Sequence, residues 1–595
     1  MAFVATGLLC LTMGAGTAEV CAQADVANSN VKGRVTDQSG AGVRQATVTV
    51  TSAERGVVRS VKADDEGAYR VPLLQPGIYE LRVEAAGFQP QVLKGLVLTV
   101  GEVAVRDFEL QVGQINIAVS VSAAPALVET ERTQQSDTVE RRQITFLPNA
   151  SRNFTSYIFT LPGVTDVAAA RAQQARVTAI PTSGFSVGAG NGRGSYVSID
   201  GGENDSGTGN LRIRNLSVEA VQEFQVNRNA YAAEYGFTAG SAVNVVTRGG
   251  TNAFHGSGYL FYRSQKTAAR NPLNTSGREA FEQNVSPGLS LGGPLVKDRA
   301  FFFTSFEALK YDIARLRSYT SNTSLLLPTG AQSAYLQTLR SGPNANETTR
   351  RIAANLQTAL ATAGYPTTMR LLRESEGQFT APSRKYNWTS RLDYNRGERD
   401  FITGRFTLAL EDNDLLRIDN VEAPSNGVIE AADDYTTVGA WNHIFNDHLL
   451  NQLRVQFAFD DYRQIARAPG TSQIAIAGLL TYGRLGTVPF IIKQKRYQFE
   501  DILSWSRGSK DFKFGASYRP VDALMITEIG FPGTYQFTAG LPLTRALSTA
   551  DLGVLTGPLA PPRGYGFNVA SSLQFRHPLR LAAGIWKSGL SGLAA

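Results

Sequence analysis

The sequence predicts an all-β-dominated protein built as three successive units, and three observations carry that prediction. Short alternating β runs separated by Gly, Pro and Asp turns fill the segment from about residue 30 to 113. A glycine-rich stretch with little periodicity follows. From Ala253 onward, period-two runs near ten residues recur, each with one polar face and one face of Phe, Leu, Tyr or Trp. The expected architecture is an N-terminal β-sandwich, a small α+β plug and an incomplete antiparallel transmembrane β-barrel. A soluble sandwich would also alternate, so periodicity alone leaves the membrane question open.

Composition narrows the function classes. With 595 residues the chain exceeds one ordinary domain. Lys+Arg number 58 and Asp+Glu 51, a net charge of +7 spread without blocks of like sign. That balance suits contact with anionic lipid or polysaccharide and argues against a nucleic-acid groove. Gly at 57 and aromatics at 9% suit a turn-rich β protein with aromatic residues on apolar faces, and fit an ordinary soluble β protein equally well.

The two cysteines, Cys10 and Cys21, lie in the first 24 residues. Met1 to Ala18 carry no charge and form an apolar region broken by Gly7, Gly14 and Gly16, followed by Ala22-Gln23-Ala24. That pattern predicts an export signal, residues 1–24, cleaved after Ala24. The same uncharged run could span a bilayer, and Cys21 could be lipidated, although Glu19 stands where a lipidation signal wants small apolar residues. The missing basic start places the true start codon upstream. Past residue 24 there is no thiol, hence neither a disulfide framework nor a thiolate metal site.

Residues 30–113 contain alternating runs at Val31 to Thr36, Ala46 to Thr51, Ala68 to Val71, Ile78 to Glu84 and Val103 to Leu110. Asp37 to Gly40 and Asp65 to Gly67 are turn chemistry, Tyr69 and Tyr79 are candidate inward aromatics, and Pro76-Gly77 starts a strand. Asp64, Asp65 and Glu66 are consecutive and lack the alternate spacing of a calcium loop, so they read as solvated turn residues. Gly33-Arg34-Val35-Thr36-Asp37, Asp65-Glu66-Gly67-Ala68-Tyr69 and Pro76-Gly77-Ile78-Tyr79-Glu80-Leu81, with Ala86-Gly87-Phe88, resemble the carboxypeptidase regulatory-like domain. The resemblance implies a starch-binding-like sandwich, and by fold analogy alone a possible sugar site.

Residues 114–138 form a linker that begins with an isolated β-prone strip, Ile115, Asn116, Ile117, Ala118, Val119, Ser120 and Val121. It reads either as the last strand of the sandwich or as a strip that adds to the edge of a partner's sheet. In residues 139–252, the blocks Leu147-Pro148, Arg152-Asn153-Phe154 and Leu161-Pro162-Gly163-Val164 come first. Val218 to Val226, Ala230 to Gly236 and Gly240 to Asn252 follow in order. Together they resemble the plug of Oar-like TonB-dependent outer-membrane receptors. The resemblance makes Ile115 to Val121 a TonB box, the handle of a TonB-type energy-coupling protein. It also gives the glycines a role where backbone packs on backbone inside a barrel. The stretch from Gly184 to Gly209 reads as apical loops or as spacer. Gly184-Phe185-Ser186-Val187-Gly188 matches a nucleophile-elbow pattern, but the following glycines forbid the helix such an elbow needs. His443 and His448, five apart, lack a zinc-binding helix frame.

Residues 253–595 carry the barrel pattern. Ile402, Phe406, Leu408 and Leu410 oppose Thr403, Arg405, Thr407 and Glu411; Leu453, Val455, Phe457 and Phe459 oppose Gln452, Arg454, Gln456 and Asp460. Tyr497 to Trp505 and Phe512 to Tyr518 form a hairpin around Gly508, and Phe567 to Phe575 makes a last strand. Phe254-His255-Gly256-Ser257, Asn271-Pro272 and Leu291 to Phe303 resemble the start of Oar-like barrels. Glu307 to Trp388 reads as one large external loop with a helix at Arg351 to Ala363. At roughly 25 residues per strand and connection, the region predicts about fourteen strands. A final stretch without alternation predicts a gene fragment or frameshift and an unclosed barrel.

The resemblance implies a receptor and transporter in the outer membrane of a Gram-negative-type bacterium, with the sandwich in the periplasm. Outer-membrane lipid and an extracellular ligand, a saccharide or a siderophore, would be its partners. It implies no enzyme, cofactor, metal or nucleic acid. Two further readings remain open: a surface adhesion or structural protein anchored by its barrel, motivated by the Ser/Thr/Asn-rich loop, and a soluble carbohydrate-binding sandwich protein.

Overall fold

The computed structural model describes residues 28–113, 119–122, 135–149, 152–166, 185–187, 195–206, 210–211, 216–229, 240–267, 282–317, 330–362, 376–415, 422–476, 480–507, 510–528, 530, 533–537, 541–542, 547–560 and 567–568. The predicted signal with Ala24, residues Ile115 to Ala118, part of Gly184 to Gly209 and the tail from 569 lie outside them.

Alternation drives the first unit. Its strands are β1 (Ser29–Asp37), β2 (Thr47–Ser52), β3 (Val58–Lys62), β4 (Ala68–Leu74), β5 (Gly77–Glu84), β6 (Gln91–Leu98), β7 (Val103–Val105), β8 (Phe108–Leu110) and β9 (Val119–Ser122). One sheet runs β4-β1-β7, with β8 also on β1; the other runs β3-β2-β5-β6-β9. Every second residue of β2, Val48, Val50 and Ser52, is buried. Val48 and Val50 meet Val31, Val35, Leu81, Val83, Leu96, Leu98 and Leu110 in one core, where truncating a leucine to alanine costs about 2–5 kcal/mol. Tyr69 and Tyr79 point inward, their hydroxyls donating to Arg106 O at 2.6 Å and Gln75 O at 2.7 Å. The acidic run is turn chemistry: Asp64 Oδ1 accepts from Glu66 N at 3.0 Å and Ala68 N at 2.8 Å.

The plug comprises β10 (Gln135–Val139), α1 (Arg141–Phe146), β11 (Val164–Asp166), β12 (Phe185–Val187), β13 (Tyr196–Ile199), β14 (Gly202–Glu203), β15 (Asp205–Ser206), β16 (Asn210–Leu211), β17 (Val221–Asn229) and β18 (Ala242–Thr247). Its main sheet runs β10-β17-β18-β13-β14, with β13 parallel to β18. β18 and β13 are buried along their whole length, including the polar Ser198, Asn244 and Thr247. Phe154 and Phe224 meet edge to face at 5.8 Å in its core. Ser186 lies buried within β12 and not at a turn, so no nucleophile elbow exists there.

The largest sheet is β19 (His255–Ser264), β20 (Glu282–Val296), β21 (Ala300–Arg317), β22 (Gly377–Arg396), β23 (Asp400–Leu415), β24 (Val428–Asn446), β25 (Leu449–Ala466), β28 (Phe490–Arg507), β29 (Lys510–Tyr518) and β30 (Val521–Thr527). Two short strands, β26 (Gln473–Ile476) and β27 (Leu480–Tyr482), stand beside β31 (Thr534–Phe537) in a small separate sheet. Neighbours in the large sheet pair antiparallel from β19 through β25 to β28. β29 and β30 both pair with β28, at Phe499 to Arg507 and at Phe490 to Arg496, so together they occupy one position. Among the described residues the sheet therefore has nine positions, with β19 and β29/β30 at its edges. The fourteen expected strands assumed short spans. Strands of 16–20 residues from β21 to β25 use up the chain faster. At about 3.3 Å per residue they are also long enough to project past a hydrocarbon layer of about 30 Å.

That length corrects the reading of Glu307 to Trp388 as one loop. β21 continues to Arg317 and β22 begins at Gly377, since strand ends beyond lipid are wet on both faces and lose the apolar alternation. Between them stand α2 (Gly330–Ser341) and α3 (Glu347–Thr362), which contains most of the expected helix. With α4 (Thr549–Val554) they form a lobe around Leu336, Leu339, Ile352 and Leu356.

Candidate functional site at the plug and barrel interface

The barrel strands bury their polar faces and expose their apolar ones. Arg405, Thr407, Gln452, Arg454, Gln456 and Asp460 are buried, whereas Ile402, Leu453, Val455, Phe499, Leu503 and Trp505 are exposed. In a water-soluble protein this order would be reversed; against lipid, with a plug inside, it is the stable arrangement.

Register aligns the inward groups. Arg391 pairs with Arg405, Arg405 with Val438, Val438 with Gln456 and Gln456 with Gln498, so one row crosses five strands. The turn between β13 and β14 lies over this row. Asp200 and Gly201 take left-handed φ values of 48° and 73°, tolerated by a short polar side chain and by glycine. Asp200 Oδ1 accepts from Thr247 N at 2.9 Å, and Oδ2 from Thr247 Oγ1 at 2.7 Å, fixing the carboxylate. Arg391 then approaches Oδ1 at 3.3 Å and Arg405 approaches Oδ2 at 3.1 Å. Arg391 also pairs with Asp393 at 2.9 Å. The turn's backbone is held as well: Gln456 donates to Glu203 O at 2.7 Å, and Glu203 N donates to Gln498 at 2.9 Å. On another wall, Arg152 of the plug pairs with buried Glu307 and lies 4.5 Å over the ring of Tyr259.

The sandwich is tied to both units. Val100 N donates to buried Glu223 and Val100 O accepts from Gln225 Nε2 at 3.1 Å, so two plug side chains clasp the backbone of one residue. Burial pushes the Glu223 carboxyl up to about 8. At the barrel's short-turn end, Asn252 N donates to Glu54 O at 3.0 Å and Arg70 donates to Ser506 at 2.8 Å.

The strip predicted as a partner's handle is divided. Val119, Ser120 and Val121 belong to β9, which pairs parallel with β6 in the register Gln91↔Val119 to Lys94↔Ser122. Ile115, Asn116, Ile117 and Ala118 lie outside the described residues. His443 Nδ1 meets Asp400 at 2.8 Å beside a short turn and does not pair with His448. Sequence reasoning passed over Asp200 and Arg391. An acid immediately before a glycine after an all-buried strand, together with arginines on inward barrel positions, was the signal available.

Comparison with known proteins decides the family. Residues 246–557 match the model of the outer membrane beta barrel domain, and residues 30–111 match the carboxypeptidase regulatory-like domain. The chain belongs to the outer membrane β-barrel domain family. This barrel protein is accordingly located in the outer membrane. It is 26% identical over 295 residues to the TonB-dependent transporter Oar of Myxococcus xanthus, a match covering 47% of this chain and 26% of that protein. The barrel protein thus spans about a quarter of the length of its curated relative. Among solved structures, the outer membrane transporter YddB of Escherichia coli is 13% identical with a TM-score of 0.45, covering 68% of this chain and 50% of that one. The siderophore receptor PirA of Acinetobacter baumannii is 15% identical with a TM-score of 0.39, covering 66% and 48%.

Proposed function

We propose that this protein works in active uptake of an extracellular ligand across the outer membrane, as a receptor whose plug is moved by a TonB-type energy-coupling protein. The observation that carries this reading is the chemistry of the plug's seat. Among the described residues, the plug meets the barrel through ion pairs and hydrogen bonds at Asp200, Glu203 and Arg152. Such contacts exchange for water at a net cost of about 0.5–3 kcal/mol each, the upper end for the charged pairs, so a pull can release them one by one. An apolar seat would resist in proportion to its whole area. The kinship with a TonB-dependent transporter supports the same direction.

On this reading the short-turn end and the sandwich face the periplasm, the helical lobe faces outward, and Ile115 to Val121 is the coupling partner's handle. The work is mechanical and needs no catalytic group. Binding of the C-terminal domain of a TonB-type protein to the full chain in detergent, and to a peptide of residues 115–121, tests the proposal. Both are expected to bind, and Ile117→Pro is expected to abolish binding by removing one strand donor. Failure of both the chain and the peptide to bind would overturn it.

A further inference from the structure

We propose that the cavity enclosed between the sandwich, the plug and the short-turn end of the barrel is a binding site for a small oxyanion, anchored by Arg59. The cavity measures about 70 Å³ and its walls include Arg55, Arg59, Arg391 and Arg454 against a single carboxylate, Asp200. Three of these arginines are already engaged. Arg391 pairs with Asp200 and Asp393, Arg454 with Glu500, and Arg55 reaches Asp393 at 3.8 Å.

Arg59 differs from them. It is 7% exposed, its guanidinium lies 3.7 Å from the centroid of the Phe401 ring, and Nη1 donates to Pro72 O at 2.5 Å. Among the described residues no carboxylate stands within ion-pairing distance of it. Glu398 acts on it only at longer range, from an exposed turn. The Tyr79 hydroxyl nearby is spent on Gln75 O. Burial lowers the Arg59 pKa to about 10, which still leaves a full cation at neutral pH.

A buried cation without a counter-charge is costly, and a ring face offsets only part of that cost. An oxyanion in the cavity would supply the missing charge and accept the fork of N–H groups that guanidinium presents. Enclosure by three units excludes polyanions such as nucleic acid, and Asn28, Gln75, Thr403, Asn395 and Asn442 make the lining unsuited to an apolar guest. Arg59 belongs to β3 and Phe401 to β23, so a bound anion would bridge sandwich and barrel. By mass action it would stabilise their docking.

The test is thermal unfolding of the full chain in detergent, titrated with inorganic phosphate or acetate against sodium chloride at matched ionic strength. A saturable rise in melting temperature with either oxyanion is expected, with phosphate and acetate separating a tetrahedral from a planar preference. Arg59→Met should weaken the apparent affinity at least tenfold, and Arg59→Lys by less. Asn442→Asp keeps Arg59 and its ring contact while placing a fixed carboxylate on the residue paired across from Phe401; it should weaken binding as well. The proposal fails if neither oxyanion acts beyond chloride, or if the three variants respond like the wild type.

Discussion

Asp200 shows how one carboxylate can seat a whole unit. Its oxygens are fixed by Thr247, then shared between Arg391 and Arg405, all four groups being buried. Asp200→Asn keeps acceptor and shape yet leaves Arg405 without its carboxylate, while Arg391 retains Asp393. Breaking a buried pair costs about 3–5 kcal/mol. The expected outcome is a lower urea midpoint for exposure of plug sites to protease, with the sandwich midpoint unchanged. Glu223 gives a pH-dependent counterpart. Its folded pKa is raised from the ordinary 4.5 to about 8 by burial, so the folded state holds the proton more tightly. Its contribution is therefore complete below about 4.5, declines as pH rises, and is lost once pH passes about 8. Hydrogen exchange of peptides spanning Thr99 to Gly101, corrected for intrinsic rates, should show the seam loosening across that window. Glu223→Gln keeps an acceptor for Val100 N and should flatten the profile.

Element by element, the strands were more legible than the contacts between units. β2, β5, β23 and β25 were readable because one face of each is apolar along its central residues, whatever that face meets. The outer ends of β21 and β22 were not, because beyond the lipid neither face must be apolar. Nor could sequence alone reveal that Arg391 and Arg405 face each other, since that follows from the register between β22 and β23. The strip at β9 has two possible partners at this scale. Its pairing with β6 occupies the backbone groups on one side of β9, so a partner sheet that takes that same side would be excluded by it. Val92→Cys with Ser120→Cys places one thiol on each of two residues paired in that register, in a chain whose other cysteines lie within the first 24 residues. Oxidation should lock the strip to the sandwich and cut capture of the TonB-type C-terminal domain at least tenfold. Reduction should restore it. Equal capture in both redox states would show that the β6 edge does not compete.

For the whole molecule, the inverted surface makes a claim that lipid can check directly. Trp388, Trp441 and Trp505 belong to β22, β24 and β28 and are 43%, 45% and 38% exposed on the apolar face. The fourth tryptophan, Trp586, lies outside the described residues, so Trp586→Phe leaves only the three on the sheet. An indole ring against acyl chains is quenched by bromine atoms on those chains, whereas one packed in a soluble core is not. In vesicles of brominated phosphatidylcholine, fluorescence of this variant should fall to less than half its value in unbrominated vesicles. Acrylamide, which quenches from the water, should act only weakly. Trp441 also donates from Nε1 to Asp400 at 3.0 Å near a short turn, which places its polar edge toward the interface. Replacing Trp388 or Trp505 singly with Phe should therefore remove a different share of the bromine quenching than replacing Trp441. Strong acrylamide and weak bromine quenching would mean that the apolar face meets water and not lipid, and the barrel assignment of this sheet would have to be abandoned.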